Sequence, residues 1–350
     1  MSRRTATMTL TAVLLVALVA LAWLVPVPYV AMSPGPIENT LGNVDGKPII
    51  KIDGRRTYPT TGQLDLTTVA VTSPDQKLDV AGVIAGWVDP SVAVVPRDYI
   101  YPPDQTPAQV QQQNAEQMET SQQSAIAAAM REVGVKVPSA VQVRAVVEKS
   151  PAVGRLKAAD ILVAVDGTKT TSAQQVVDLV GKHKPGDQIR LSVRRAGKPL
   201  DVTITTGRSP DDPNRAFVGV QPIDGFDFPF PVTVNLGQDI GGPSAGTMFA
   251  LAIVDKLTTD NLTGGKHIAG TGTIEADGKV GPIGGIQQKI AGAKRGGAST
   301  FLVPADNCAA AAGAPTDGIR LVRVATLHDA VTALEALQKN PNAQVTSCAR

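Results

Sequence analysis

Aromatic residues are scarce in this chain: six Phe, two Trp and four Tyr among 350 residues. A core must therefore be built from aliphatic side chains, which Ala, Val, Ile and Leu supply. Neither sign of charge dominates. There are 33 basic against 31 acidic residues and no basic block, so no nucleic-acid partner is implied. Only three histidines occur, His183, His267 and His328, and no Cys/His cluster has metal-ligand spacing. A phosphate loop is also missing, because Gly264-Gly265-Lys266 lacks both the upstream glycine and a following Ser or Thr. No metal and no other cofactor is expected.

Charge is absent altogether from Thr5 to Ile37. The apolar heart of that stretch, residues 8–25, has the length of a short transmembrane helix. Trp23 and Tyr29 stand where interfacial aromatics would, and Arg3 and Arg4 precede the span with no basic residue soon after it. The positive-inside rule then makes this a single-pass protein of the cell membrane with its bulk on the extracytoplasmic side. A cleaved signal peptide is the alternative, although the apolar run is long for one and no clean A-x-A site follows. Cysteine is limited to Cys308 and Cys348. An even pair in an exported protein predicts a disulfide tying the C-terminal tail to the region after Pro304, with two unpaired thiols as the alternative.

Two features point to chemistry. Gly242-Pro243 is a helix-entry signal, and Ser244 falls where the following helix presents free N–H groups and its positive dipole end. That position suits a nucleophile or a developing oxyanion, with the backbone N–H groups of Gly242, Ser244 and Ala245 as the donors. The plainer reading makes Ser244 an N-cap. Further along, Ile286, Ile290 and Ala293 recur at i, i+4 and i+7 and define a buried helix face, with Lys289 in its middle. A lysine aimed inward loses hydration, its pKa falls, and as a neutral amine it can accept a serine proton. The plainer reading is a stem packed on apolar surface with its ammonium in water. Gly242-Pro-Ser-Ala-Gly246 also fits the G-x-S-x-G elbow, with His328 as base, but the strand that must directly precede such a serine is missing.

The order Pro243-Ser-Ala-Gly246, Thr271-Gly-Thr-Ile274, Gly281-Pro-Ile-Gly-Gly285 with Lys289, Lys294-Arg-Gly-Gly297 and Phe301-Leu-Val-Pro304 resembles the proteolytic domain of the Lon family. That resemblance implies Ser244 as nucleophile, Lys289 as its base and Thr271 as the residue that helps hold the lysine. It also implies assembly into a homo-oligomer.

Residues from Val141 onward resemble a PDZ domain. The pattern Ser150-Pro-Ala, Asp160-Ile, Val165-Asp-Gly167 carries the likeness, with Ala159 standing where that family has glycine. The resemblance implies a peptide groove, expected between Val141–Val147 and the helix Ser172–Val180; a spacer without a ligand is the alternative. A Lon-type domain needs strands and a helix ahead of its serine. Gly62–Thr72 and Met118–Val133 are the segments that could supply them. The PDZ segment is therefore expected as an insertion rather than one of three beads on a string.

The expected fold class is α+β: a mixed Lon-type proteolytic domain with an inserted PDZ domain and one N-terminal transmembrane helix. Its expected segments are 8–25 for the span, 37–134 and 209–340 for the two parts of the proteolytic domain, 135–208 for the PDZ domain and 341–350 for a tail. The expected activity is ATP-independent cleavage of extracytoplasmic protein or peptide substrates by a Ser-Lys dyad. The competing class is a membrane-tethered PDZ adaptor whose Lon-like part is a scaffold.

Overall fold

The computed structural model of the chain describes residues 3–237, 240–314 and 316–348. Gln238 and Asp239 of the loop before the serine, Ser2 at the start and the last two residues of the tail lie outside them. The chain divides into two compact units: Met1–Val133 with Val232–Arg350, and Gly134–Pro231.

The first unit begins with helix α1 (Arg3–Leu24). Its stretch Arg3–Trp23, 21 residues, is long and apolar enough on average to cross a membrane, and its apolar part is not buried within the protein. Strands β1 (Tyr29–Asn39) and β2 (Gln63–Val71) follow, then helix α2 (Val80–Val88), strand β3 (Ala93–Pro96) and the long helix α3 (Pro107–Glu132). Helix α3 starts in a capping box: Thr106 accepts from the Gln109 amide while the Gln109 side chain accepts from the Thr106 amide. Its Gln-rich first half is mostly exposed, and burial is continuous from Ala125 to Met130.

The second unit holds strands β4 (Ser139–Val146) and β5 (Ile161–Val165), helix α4 (Ala173–Gly181), and strands β6 (Gln188–Arg195), β7 (Lys198–Thr205) and β8 (Val220–Phe226). The strands form an antiparallel sheet in the order β7-β6-β5-β4-β8. Its core is aliphatic, with Val141, Val143, Leu162, Val165, Ile189 and Leu191 nearly sealed from solvent.

The first unit then resumes with helix α5 (Gly246–Leu257), strand β9 (His267–Gly270), helix α6 (Ile286–Arg295), strands β10 (Thr300–Pro304) and β11 (Arg320–Val324), and helix α7 (Leu327–Lys339). Its sheet runs β11-β10-β9-β2-β1-β3. Strands β11, β10, β9 and β2 are mutually parallel, whereas β1 and β3 are antiparallel additions. Three strands and helix α3 from before Val133 thus complete a core whose other half lies some hundred residues later. Helix α5 packs on α3, and α6 packs on β1 and β2. Helix α5 is apolar nearly all round and sits fully inside, with Met248, Phe249, Ala250, Leu251, Ala252 and Ile253 at 0% exposure.

The sheet also includes something local pattern hides. Strand β1 contains Pro34-Gly35-Pro36, turn-forming residues that weaken any strand reading. The register shifts between Pro34 and Ile37, a bulge that accommodates the residues unable to donate to the ladder.

Candidate active site

Ser244 is held from two sides. Helix α3 reaches the serine loop through Ser121, whose hydroxyl donates to the Pro243 carbonyl at 2.9 Å, and through the Asn114 carbonyl, which accepts from the Gly242 amide at 3.1 Å. The segment after Gly270 fixes the other side: the Gly272 amide and the Thr271 hydroxyl both donate to the Ser244 carbonyl, at 2.8 and 3.0 Å. Helix α5 begins at Gly246 with Ala245 as its N-cap and no side-chain cap bond. Ser244 therefore lies just ahead of the helix rather than inside its first turn, and its hydroxyl is not spent on a capping bond.

That hydroxyl faces Lys289. The lysine sits in the first turn of α6, on the face shared with Ile286 and Ile290, and is only 3% exposed. Gly285 sets the entry of the helix. Its φ of 68° lies in the left-handed region, and a Cβ there would come within 2.6 Å of Val69 Cγ2. Lys289 Nζ is 2.9 Å from Ser244 Oγ and donates to Thr271 Oγ1 at 3.0 Å. Thr271, itself fully buried, accepts from the amine and donates to the Ser244 carbonyl, so one hydroxyl locks both partners. Burial lowers the lysine pKa from 10.5 to about 8, and among the described residues no carboxylate lies alongside to restore it. A substantial part of the amine is then neutral in mildly alkaline solution, with its lone pair within reach of the serine proton.

The three expected oxyanion donors separate. The Gly242 amide is already bonded to Asn114 and is not free for that task in this geometry. Among the described residues, the Ser244 and Ala245 amides have no hydrogen-bond acceptor. A cleft of about 500 Å³ opens over them, lined by Ser244, Lys289, Met32, Leu66, Met118 and Ile240. Strand β2 forms one wall. It pairs with β9 only from Gln63 to Leu66, and Thr67 to Val71 continue past the end of β9 along the cleft. Sequence reasoning missed both Ser121 and this open strand edge. Neither has a local signal, since each acts on residues far away in the chain.

The histidines lie elsewhere. His328 is exposed on α7, where its Nδ1 lies 2.8 Å from Glu132, which raises its pKa. His267 pairs with the buried Asp65, and His183 with Asp166. Cys308 and Cys348 are joined by a disulfide with a Cα–Cα distance of 5.1 Å. The tail is further tied down by Arg320, which donates to the Pro341 and Ala343 carbonyls.

In the second unit the expected groove beside Val141–Val147 does not exist. Strand β4 is interior: β5 covers one edge and β8 pairs along the other. The strand next to helix α4 is β8, and a groove of about 180 Å³ lies between them, lined by Val176, Val177, Val180, Phe217, Gly219 and Val220. The end near residue 208 expected for this domain left β8 out.

Comparison with known proteins bears on both units. Residues 238–336 match the family described as Lon protease (S16) C-terminal proteolytic domain, and residues 110–206 match the PDZ domain family. The chain carries a Lon-type serine peptidase domain and a PDZ domain. Similar proteins include the Lon protease of Buchnera aphidicola, 44% identical over 66 residues that make up 19% of this chain and 8% of the relative. Another is Lon protease 2 of Bacillus subtilis, 33% identical over 129 residues, 35% of this chain and 21% of the relative. The chain thus matches a small part of the length of these relatives. Among solved structures, the PDZ domain of an SdrC-like protein from Listeria innocua is 26% identical, covering 24% of this chain and 92% of that one with a TM-score of 0.22. The PDZ match begins inside α3 of the first unit and ends before β8, the strand that completes the sheet of the second.

Proposed function

We propose that the chain is an ATP-independent serine endopeptidase in which Ser244 is the nucleophile and Lys289 its general base. The observation that carries this reading is a desolvated amine 2.9 Å from a serine hydroxyl, with a threonine bridging the two. Neutral Lys289 takes the proton as Ser244 Oγ attacks a peptide carbonyl. The Ser244 and Ala245 amides, near the positive end of α5, stabilise the oxyanion. The protonated amine then gives its proton to the leaving nitrogen as the C–N bond breaks. After acylation the amine, neutral again, activates water to release the acyl group.

An extended substrate would pair with the open edge of β2 at Thr67–Val71, which presents backbone groups beside the nucleophile. A peptide in the groove between β8 and α4 would serve recognition or gating. Helix α1 would anchor the protein as a single-pass span with the catalytic part on the extracytoplasmic side, which confines it to substrates near the membrane. Gly134–Pro231 is read as the PDZ insertion, with residues 37–133 and 232–340 as the two parts of the proteolytic domain, and assembly into a homo-oligomer accompanies this reading.

The test is cleavage of a peptide library by the full chain in detergent, without nucleotide, against Ser244→Ala and Lys289→Ala. Both variants should lose turnover while keeping the circular dichroism of the parent. Turnover retained by Lys289→Ala would refute the dyad, and binding of peptides with no turnover in the wild type would favour the adaptor reading.

A further inference from the structure

Helix α2 buries little of what its sequence offers. Its nine residues, Val-Ala-Gly-Val-Ile-Ala-Gly-Trp-Val, carry no charge. Val83 and Gly86 face inward, where a Cβ on Gly86 would come within 2.6 Å of Val94 Cγ2. Ile84, Trp87 and Val88 fall at i, i+3 and i+4 on an adjoining stripe that faces outward and are 52%, 69% and 79% exposed. Tyr99, after β3, is 78% exposed. Such large apolar side chains gathered on one short helix are unusual on a surface facing water.

The position of this helix says what covers it. Two residues beyond the end of α1, Pro26 and Val27 pair with Asp79 and Leu78, the residues that lead directly into α2. Helices α1 and α2 also pack on each other. If α1 spans a bilayer, α2 starts at the bilayer surface, because a two-residue ladder ties its N-terminus to the end of the span. A tryptophan at the interface and a short uncharged apolar face are what the headgroup–acyl boundary accepts.

We propose that the Ile84–Trp87–Val88 face of α2 is a second membrane contact, seated in the interfacial layer of the lipid bilayer beside the span. It rests on the reading of α1 as a transmembrane helix. The contact is apolar rather than electrostatic. Val80–Val88 contains no Lys or Arg, and acidic residues bracket it: Asp79 caps the helix through the Gly82 amide, and Asp89 accepts from Ser91. Salt therefore leaves it unchanged. It would hold the sheet edge at β1 and β3 close to the lipid surface, since β3 follows α2 directly.

The chain has only two tryptophans, so each can be read alone. The full chain is reconstituted into phosphatidylcholine vesicles as Trp23→Phe, which leaves Trp87, and as Trp87→Phe, which leaves Trp23. Emission is compared in plain lipid and in lipid brominated near the glycerol end of the acyl chain, and against iodide in the water. The proposal expects Trp87 to lose at least about half its emission to the brominated lipid, independent of salt, with little quenching by iodide. Trp23 quenched by lipid while Trp87 is quenched by iodide overturns the proposal and leaves the span standing. Trp87 shielded from both quenchers overturns it too, and shows a protein surface, such as a second copy, covering the face. Neither tryptophan quenched by lipid overturns the span reading and this contact with it.

Discussion

Lys289→Met tests the physical basis of the dyad without reference to any substrate. Methionine keeps an unbranched apolar stem of similar reach and removes the amine. Moving a lysine pKa from 10.5 to about 8 by burial means that folding works against about 3 kcal/mol at neutral pH. The substitution also deletes the bonds to Ser244 Oγ and Thr271 Oγ1, which offsets about 1 kcal/mol of the gain. The variant should therefore be more stable than the wild type by about 2 kcal/mol at pH 7. The sign with pH follows from linkage. Between about pH 8 and 10.5 the unfolded lysine still holds its proton while the folded one has lost it, so wild-type stability rises with pH across that window. Below pH 8 the destabilisation is complete, and above 10.5 it is gone. Urea unfolding of both proteins in detergent, followed by circular dichroism at pH 7 and pH 10.5, should show the advantage of the methionine variant at the lower pH and its loss at the higher. A methionine variant less stable than the wild type at pH 7 would mean the amine is not desolvated, and the argument for a neutral base would fail.

Thr271→Val should lower kcat by about 10- to 100-fold, because the hydroxyl that fixes both Lys289 and the Ser244 carbonyl is worth about 1.5–3 kcal/mol in a charged network; Thr271→Ser should restore most of it, and a valine variant with full activity would deny Thr271 a positioning role. Cys308→Ser with Cys348→Ser opens a 40-residue loop and should cost about 4 kcal/mol in thermal or urea unfolding; no loss would mean that the contacts of Arg320 with the tail suffice. In the second unit, Val177→Asp places a carboxylate in the groove between β8 and α4 and should weaken binding of peptides with apolar C-terminal residues at least about tenfold by fluorescence polarisation. A substitution on Val141–Val147 that abolished binding with the fold intact would return the groove to β4.

The parts of the site that sequence made legible are those with a local or motif-borne signal. Lys289 on an otherwise apolar stripe marked its own burial, and helix α6 runs from Ile286 to Arg295 as its periodicity predicts. Helix α3 was legible in its second half, where Met118–Val133 is expected as a helix ahead of the serine, while its capped start at Thr106 emerges only from the structure. The contributions that were not legible come from pairing at a distance. Strand β8 lies about eighty residues beyond β4, the strand it covers, and nothing in Val220–Phe226 announces that partner. Reading the unit as ending near residue 208 therefore left β4 with an edge it does not have. Strand β1 was hidden by its own prolines, which a bulge accommodates. Ser121 sits in a stretch that reads as an exposed polar helix, and its role appears only once the serine loop is folded against it. Position alone makes Gly242 an oxyanion donor, yet its amide is satisfied by Asn114, a residue more than a hundred positions earlier.

The claim on which the account stands is that a neutral Lys289 activates Ser244, and the rate at which an acylating serine probe labels Ser244 measures it directly. Labelling followed by mass spectrometry across pH 6 to 11 should rise about tenfold between pH 7 and 9.5, with its midpoint near the lysine value of about 8, and should vanish in Lys289→Ala. A midpoint near 10.5, a flat profile, or undiminished labelling of the alanine variant would contradict it.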